Sequence, residues 1–170
     1  TGLRIGVSAA KGLAWPGNKP CAACSTLESM AWPLAFYEDA VIVCAMDARR
    51  SQVYNALFWA EGGTLQRLCP DRAVSLAAVA EDLRREHRAK IVVGDGAVLC
   101  YNALKDAGVS CALAQEALRM QDVVGVCQCA EAAARTGLFT AAQDLQPVYL
   151  RLSQAERERL AKEQQRTSLQ

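Results

Sequence analysis

The fold is decided by the stretch Ala40-Val-Ile-Val-Cys-Ala-Met-Asp-Ala-Arg-Arg-Ser-Gln-Val-Tyr-Asn-Ala-Leu-Phe58. Residues 40–46 form an apolar run rich in β-branched side chains, which predicts a strand buried on both faces. Residues 47–51 are polar and predict a short turn. Residues 52–58 then return as a second strand whose side chains alternate between the two faces of a sheet. The stretch therefore predicts a buried antiparallel hairpin with a charged tip.

The charged tip of this hairpin predicts a structural turn and not a chemical site. The Asp47 side chain can accept hydrogen bonds from nearby backbone N–H groups, and Arg49 lies two residues further on. Charged side chains ordinarily stay at the surface, where water solvates them. We therefore expect Asp47 and Arg49 to order the turn.

The length and composition favour a folded protein that does not bind nucleic acid by charge alone. The chain has 170 residues, of which 52% are apolar and 22% charged, so it can bury a core. Its net charge is +1, which gives no strong electrostatic field for nucleic acid. Its apolar stretches fall short of the roughly 20 residues that span a bilayer, and no signal-peptide pattern opens it. We predict a cytoplasmic location without membrane contact.

Eight cysteines and one histidine raise the question of a metal site. Cys21 and Cys24 have CxxC spacing, but they fall in a predicted short strand, where positions i and i+3 point to opposite faces. Cys127 and Cys129 fall in a predicted helix, where positions i and i+2 do not share a face. His87 cannot complete a zinc site with such dispersed cysteines. We expect free thiols in a reducing compartment, with no metal and no cofactor.

Two helices and a short strand are predicted before the hairpin. Residues 2–14 carry apolar side chains at helical spacing, and Trp15-Pro16-Gly17 ends this helix. Residues 20–24 predict a strand, and the capping box Ser25-Thr-Leu-Glu28 opens a second helix that reaches about Trp32. The first helix is apolar on more than one side, so it needs more than one cover. We expect the two helices to lie side by side.

Strands and helices alternate after the hairpin. The predicted order is a strand at 64–68, a helix at 75–87, a strand at 90–93, a helix ending near Gly108, a strand at 110–114, a helix at 120–135, an extended stretch at 147–151 and a capped helix from Ser153. Together with the hairpin, this order predicts a mixed α/β fold in which helices pack on a sheet.

The Gly94-Asp95-Gly96 turn is a weak candidate for nucleotide binding. A glycine-rich turn at a helix N-terminus can cradle phosphate with its backbone N–H groups. The same residues can also serve only a tight strand-to-helix turn, with Asp95 near the N-cap position. The motif alone leaves both interpretations open.

Several motifs together resemble the TsaB family. They are Thr1-Gly-Leu-Arg-Ile-Gly-Val-Ser-Ala-Ala-Lys-Gly-Leu-Ala14, Ser25-Thr-Leu-Glu28, Met46-Asp-Ala-Arg49 with Val53-Tyr54, Gly94-Asp-Gly96 and Pro147-Val-Tyr-Leu-Arg151. TsaB is the bacterial tRNA threonylcarbamoyladenosine biosynthesis subunit, with an actin-like ATPase (ribonuclease H-like) fold. The resemblance implies an N-terminally truncated chain. It implies a remnant of the first lobe at 1–38, a complete second lobe at 39–151, and a charged C-terminal helix and tail at 152–170. The remnant would hold the last two helices and one strand of the first lobe.

The resemblance also implies a role without catalysis. TsaB-like subunits pair with the transferase TsaD, and the ATPase TsaE joins them in modifying the adenosine beside the anticodon. The subunit meets tRNA through the complex, and a second copy of TsaB is another possible partner. In the family, helices of the first lobe build this interface. The implied interface residues are Leu3, Ile5, Val7, Ala9, Ala10, Leu13, Leu27 and Met30.

Two other functions have weaker support in the sequence. An actin-like phosphotransferase would use Gly94, Asp95 and Gly96 beside its nucleotide. A peptidase-like protein needs metal ligands or a nucleophile with its base, and the single histidine does not supply such a constellation. We prefer the non-catalytic scaffold subunit.

Overall fold

A computed structural model describes residues 2–151 and shows the expected mixed α/β fold. Its strands are β1 (Ala40–Asp47), β2 (Gln52–Glu61), β3 (Thr64–Arg67), β4 (Arg72–Ser75), β5 (Ala89–Val93) and β6 (Ala112–Leu113). Its α-helices are α1 (Gly2–Ala14), α2 (Thr26–Ala31), α3 (Leu76–Leu83), α4 (Ala97–Asp106) and α5 (Val123–Arg135). The strands form one sheet in the order β3-β2-β1-β5-β6, with β4 beside β2.

The predicted hairpin lies at the centre of this sheet. Strand β1 pairs antiparallel with β2, from Ala40 opposite Ala60 to Asp47 opposite Val53. Its other edge pairs parallel with β5, from Ala40 beside Ala89 to Cys44 beside Val93. The first six residues of β1 are all buried. The prediction of a strand covered on both faces is therefore confirmed.

Helices cover both faces of the sheet, and each face has its own apolar core. On one face, Ile42 and Phe58 pack with Leu34. On the opposite face, Val43 packs with Leu104, and α3 and α4 supply the cover. Burial of each large apolar side chain contributes about 1.5–3 kcal/mol. The alternation predicted for β2 places its side chains in these two cores in turn.

A buried asparagine binds the otherwise apolar hairpin to β4. Asn55 donates from Nδ2 to the Cys44 carbonyl at 2.8 Å, and its Oδ1 accepts from Arg72 Nη2 at 2.9 Å. Arg72 also pairs with Asp82 on α3. Because buried polar groups must be hydrogen-bonded, these contacts determine where β4 lies. The sequence reading missed β4, whose four residues show no clear alternation.

Two predicted elements before the hairpin need correction. Residues 20–24 form no strand; Cys21 makes one isolated antiparallel bridge to Thr140. A strand needs a neighbour along its length, and the described chain supplies one only at that residue. The Ser25 hydroxyl does accept a hydrogen bond from Glu28 N–H at 3.2 Å. The Glu28 carboxylate, however, forms a salt bridge with Arg67 at 2.7 Å. It does not bond back to the start of the helix, so the predicted capping box is incomplete.

One predicted helix after the hairpin is shorter than expected. Helix α3 ends at Leu83, well before His87. The polar run after Leu83 carries no apolar stripe, so nothing binds it to the sheet as a helix. Residues 147–151, predicted as an extended stretch, lie outside any helix or strand, and the predicted helix from Ser153 lies outside the described residues. Within residues 2–151, every helix is too short or too polar to cross a bilayer.

Candidate partner-binding surface

Helix α1 presents an almost fully exposed apolar surface. Most of its 13 residues are apolar or glycine, and Ala14 is the buried member. Leu3 is 57% exposed, Ile5 65% and Leu13 79%. Ala9 and Ala10 are exposed as well, and Val7 is half-buried. The predicted interface residues of this helix therefore lie on one element whose apolar side chains are largely uncovered in the described chain.

A few exposed contacts hold α1 to the end of the described chain. Lys11 Nζ donates to the Gln143 carbonyl at 2.9 Å, and Arg4 Nε donates to the Tyr149 hydroxyl at 2.9 Å. The Arg4 guanidinium also lies over the Tyr149 ring, 5.6 Å from its centroid. These contacts involve one side of α1 and leave most of its apolar surface open.

Helix α2 does not share this surface, which corrects the predicted interface. Leu27 is 3% exposed and Met30 2%, and both pack in the core with Ile42 and Phe58. These two residues are covered by the sheet and are not available to a partner in this structure. The interface itself stays a prediction for the α1 residues.

The expected pairing of α1 with α2 is also wrong, because α2 packs against α5. The contact is so close that a Cβ on Gly125 would lie 1.9 Å from the Ser29 carbonyl oxygen. Asp122 begins α5 by accepting a hydrogen bond from Gly125 N–H at 2.8 Å. Glycine at position 125 is therefore needed for the two helices to touch.

The hairpin tip is built as a strained, internally bonded turn. Asp47 Oδ1 accepts a hydrogen bond from Arg49 N–H at 2.7 Å. Arg49, Arg50 and Ser51 all have left-handed backbone conformations, with φ of 64°, 56° and 57°. Such conformations are uncommon for residues other than glycine. Asp47 therefore compensates part of the strain at this turn.

The Gly94-Asp95-Gly96 turn uses its backbone donors within the protein. Gly94 N–H donates to the Arg119 carbonyl at 2.8 Å, and Gly96 N–H donates to the Ala45 carbonyl at 3.1 Å. Asp95 Oδ1 accepts from Asp47 N–H at 3.2 Å. A bound phosphate would need these N–H groups free, and the carboxylates of Asp47 and Asp95 would repel it. The arrangement thus favours a tight structural turn over a phosphate cradle.

Close packing explains both glycines of that turn. A Cβ on Gly94 would lie 2.1 Å from the Ala45 oxygen, and the Gly94 φ of 113° is one that other residues rarely adopt. A Cβ on Gly96 would lie 2.8 Å from the Asp47 nitrogen. The two glycines of the motif are therefore required, but the reason is that the backbone of this turn lies directly against β1.

Sequence reasoning missed Arg119, which closes the end of the sheet beside this turn. Its carbonyl accepts from Gly94, and its guanidinium donates from Nη2 to the Ala114 carbonyl at 3.1 Å. Ala114 follows β6 directly. The gap beyond the carboxyl ends of β5 and β6, where ligands commonly bind in such sheets, is thus bridged by Arg119. No local sequence signal marks this residue.

The cysteines do not gather into a metal site in the described chain. Among residues 2–151, histidine, cysteine, aspartate and glutamate side chains form no group of three that could hold a metal ion. Burial raises the pKa of Cys44, and it raises the pKa of Cys100 to about 12. Since the thiolate is the form that binds a metal, these buried thiols are poorly suited to holding a metal ion.

Comparisons with known proteins agree with this architecture. The family model for TsaD, tRNA N6-adenosine threonylcarbamoyltransferase, matches residues 1–159. The tRNA threonylcarbamoyladenosine biosynthesis protein TsaB of Bacillus subtilis (strain 168) is 35% identical to this chain over 160 residues. The match covers 92% of this chain and 66% of that protein. The chain thus spans about two thirds of the length of this curated relative.

Two solved structures share the fold. One, a crystal structure of an uncharacterized protein with similarity to peptidase YEAZ from Pseudomonas aeruginosa, has a TM-score of 0.72 and 24% identity, covering 89% of this chain and 68% of its own. The other, YeaZ from Pseudomonas aeruginosa, has a TM-score of 0.67 and 20% identity, covering 88% and 69%. At these identities the likeness shows the fold alone.

Proposed function

Since the chain belongs to the TsaD family and resembles TsaB over most of its length, we propose that it acts in tRNA threonylcarbamoyladenosine synthesis as a non-catalytic TsaB-type subunit. Its partner is a TsaD-type transferase, and a TsaE-type ATPase joins the larger complex. This chain contributes residues of α1 to the interface. The division into a first-lobe remnant, 1–38, and a second lobe, 39–151, belongs to the same proposal.

The exposed apolar surface of α1 is the observation that carries the pairing. Leu3, Ile5 and Leu13 expose more than half of their side chains on a single helix. Large apolar side chains clustered on one exposed element mark surfaces that another chain or another part of the protein covers. Gly6 and Gly12 carry no side chain and face open space, because a Cβ at either position would meet nothing within 4 Å. A partner helix can therefore approach the α1 backbone closely.

The bonded turn at Gly94–Gly96 supports a subunit without a phosphate cradle at this position. Its N–H groups at Gly94 and Gly96 are used by Arg119 and Ala45. His87 is the single histidine of these 170 residues, so they do not themselves supply a pair of histidines for a metal. The net charge of +1 also favours contact with tRNA through the complex and not through this chain alone.

Substitution of Ala9 by arginine tests the proposed interface. Ala9 is exposed here, so Ala9→Arg should leave the fold intact and place an unpaired charge in the middle of the contact with TsaD. The expected cost to association is about 2–5 kcal/mol, or at least roughly a 30-fold loss of affinity. Calorimetric titration of the TsaD-type partner into each variant measures the loss.

Ala77→Arg is the matched control, because Ala77 is an exposed alanine on α3. It should change neither folding nor association. Equal affinity of both variants for the partner would overturn the assignment of the interface to α1. An Ala9→Arg protein that unfolds would show that α1 belongs to the core of the subunit.

Titration with ATP tests the phosphotransferase alternative separately. A scaffold subunit should release no binding heat, since the Gly94-Asp95-Gly96 donors are already bonded. Tight binding of ATP by this chain alone, lost in Asp95→Asn, would contradict the non-catalytic assignment.

A further inference from the structure

The contact between α2 and α5 brings two cysteines together. Gly125 sits against Ser29, and Cys129 lies one helical turn further along the same side of α5. Cys129 is 5% exposed. Cys24, just before α2, places its sulfur 3.7 Å from the Val126 carbonyl oxygen, within the same turn of α5. Both cysteines therefore belong to one small contact.

The two thiols differ in how they meet solvent. Burial raises the pKa of Cys129, and the neighbouring Glu28 carboxylate and Cys24 thiol raise that pKa further. Cys24 lines an open groove together with Thr26, Ser29 and Val126. A small oxidant in water can thus reach Cys24 first, while Cys129 waits beside it in the contact.

We propose that Cys24 and Cys129 are a redox pair that hydrogen peroxide converts into a disulfide. The Cys24 thiolate attacks one peroxide oxygen, the O–O bond breaks, and the departing hydroxide takes a proton to become water. Cys24 is then a sulfenic acid. The Cys129 sulfur attacks the Cys24 sulfur, the S–O bond breaks, and hydroxide leaves with the Cys129 proton as a second water. Two thiols are oxidised by two electrons and one peroxide is reduced.

The disulfide would fasten α5 to the chain segment that leads into α2. Because the two cysteines lie about 100 residues apart in sequence, the cross-link closes a long loop and restricts the unfolded chain strongly. We expect the oxidised protein to melt roughly 5 °C higher or more than the reduced protein. The disulfide depends on the α2–α5 contact and not on the proposed partner.

Peptide mapping after peroxide treatment tests the pair. The 170-residue protein is exposed to hydrogen peroxide, free thiols are blocked by alkylation, and digestion without reductant precedes mass spectrometry. A peptide linked through Cys24 and Cys129, lost after reduction by dithiothreitol, is the expected result. The melting temperature should rise with its formation and fall again on reduction.

Variants make the result specific. Cys24→Ser and Cys129→Ser should lose both the linked peptide and the rise in melting temperature. Cys127→Ser is the matched control, since Cys127 is exposed on the same helix, two residues from Cys129. It should behave like the unmodified chain. If Cys129→Ser does not fold, Cys129→Ala replaces it, and the map of the unmodified chain still decides.

Three outcomes would overturn the pair. One is a linked peptide that joins Cys24 to Cys21 or to another cysteine. Another is conversion of Cys24 to sulfinic acid without any link to Cys129. The last is a Cys24 that stays reduced at a peroxide concentration that oxidises Cys127.

Discussion

Helices α1 and α2 have similar apolar composition, yet the apolar side chains of α2 are buried and those of α1 are largely exposed. In α2, Leu27 and Met30 are almost fully buried between the sheet and α5. In α1, Leu3, Ile5 and Leu13 remain mostly exposed in the described chain. An apolar stripe shows that a helix has a cover; it does not say which element provides that cover. For α2 the cover is the sheet of this chain, and for α1 we assign it to a partner.

The largest expected contrast between the two helices is in core truncation. Met30→Ala should lower the free energy of unfolding by about 2–5 kcal/mol, because it leaves a cavity against Ile42 and Phe58. Leu13→Ala should change it by less than about 0.5 kcal/mol. Urea unfolding followed by circular dichroism measures both. Similar losses in the two variants would mean that α1 has a core role as well.

Replacing a glycine by alanine should change the stability in opposite directions at the α2–α5 contact and in α1. Gly125→Ala forces a Cβ to within 1.9 Å of the Ser29 oxygen, so it should destabilise the α2–α5 contact by about 1–3 kcal/mol. Gly12→Ala in α1 meets nothing within 4 Å and should stabilise the protein by roughly 0.5–1 kcal/mol. Thermal and urea denaturation report both. A destabilising Gly12→Ala would argue that α1 is already closely packed in the free subunit.

Serine replacement gives a smaller contrast. Ser25 caps α2 and also donates to Asp71 Oδ2 at 2.6 Å, so Ser25→Ala should cost about 1–2 kcal/mol. Ser8 is an exposed residue within α1, and Ser8→Ala should change stability by less than about 0.5 kcal/mol. The same unfolding experiment compares the pair. Equal effects would remove the argument that the cap of α2 is structurally important.

The smallest expected effect concerns the attachment of α1 to the end of the described chain. Tyr149→Phe removes the acceptor of the Arg4 hydrogen bond but keeps the ring beneath the guanidinium. Because this contact is exposed to water, the melting temperature should shift by less than about 2 °C. Scanning calorimetry checks it. A larger shift would show that the contact of α1 with the rest of the chain is stronger than its exposure suggests.

The candidate site was predictable in part. Helical spacing alone placed Leu3, Ile5 and Leu13 on a helix that needs more than one cover, and the structure leaves them exposed. The family resemblance placed Leu27 and Met30 in the interface as well, but the structure buries both against β1 and β2 of this chain. No local sequence pattern marks Arg119. Its role depends on the Gly94 N–H and the Ala114 carbonyl, which come close together only when β5 and β6 pair.

Local sequence determined several elements of this protein, because these depend mainly on neighbours close in the chain. The apolar run 40–46 made a strand, Asp47 ordered its turn, and the Ser25 hydroxyl capped α2. The family pattern was also present in the sequence as an ordered set of motifs. Tertiary structure decided what each element touches. Cys21 forms a single bridge with Thr140, and Glu28 forms a salt bridge with Arg67. Helix α2 packs against α5 and the sheet. Those outcomes depend on which groups from distant parts of the chain compete for the same buried space, and periodicity carries no record of that competition.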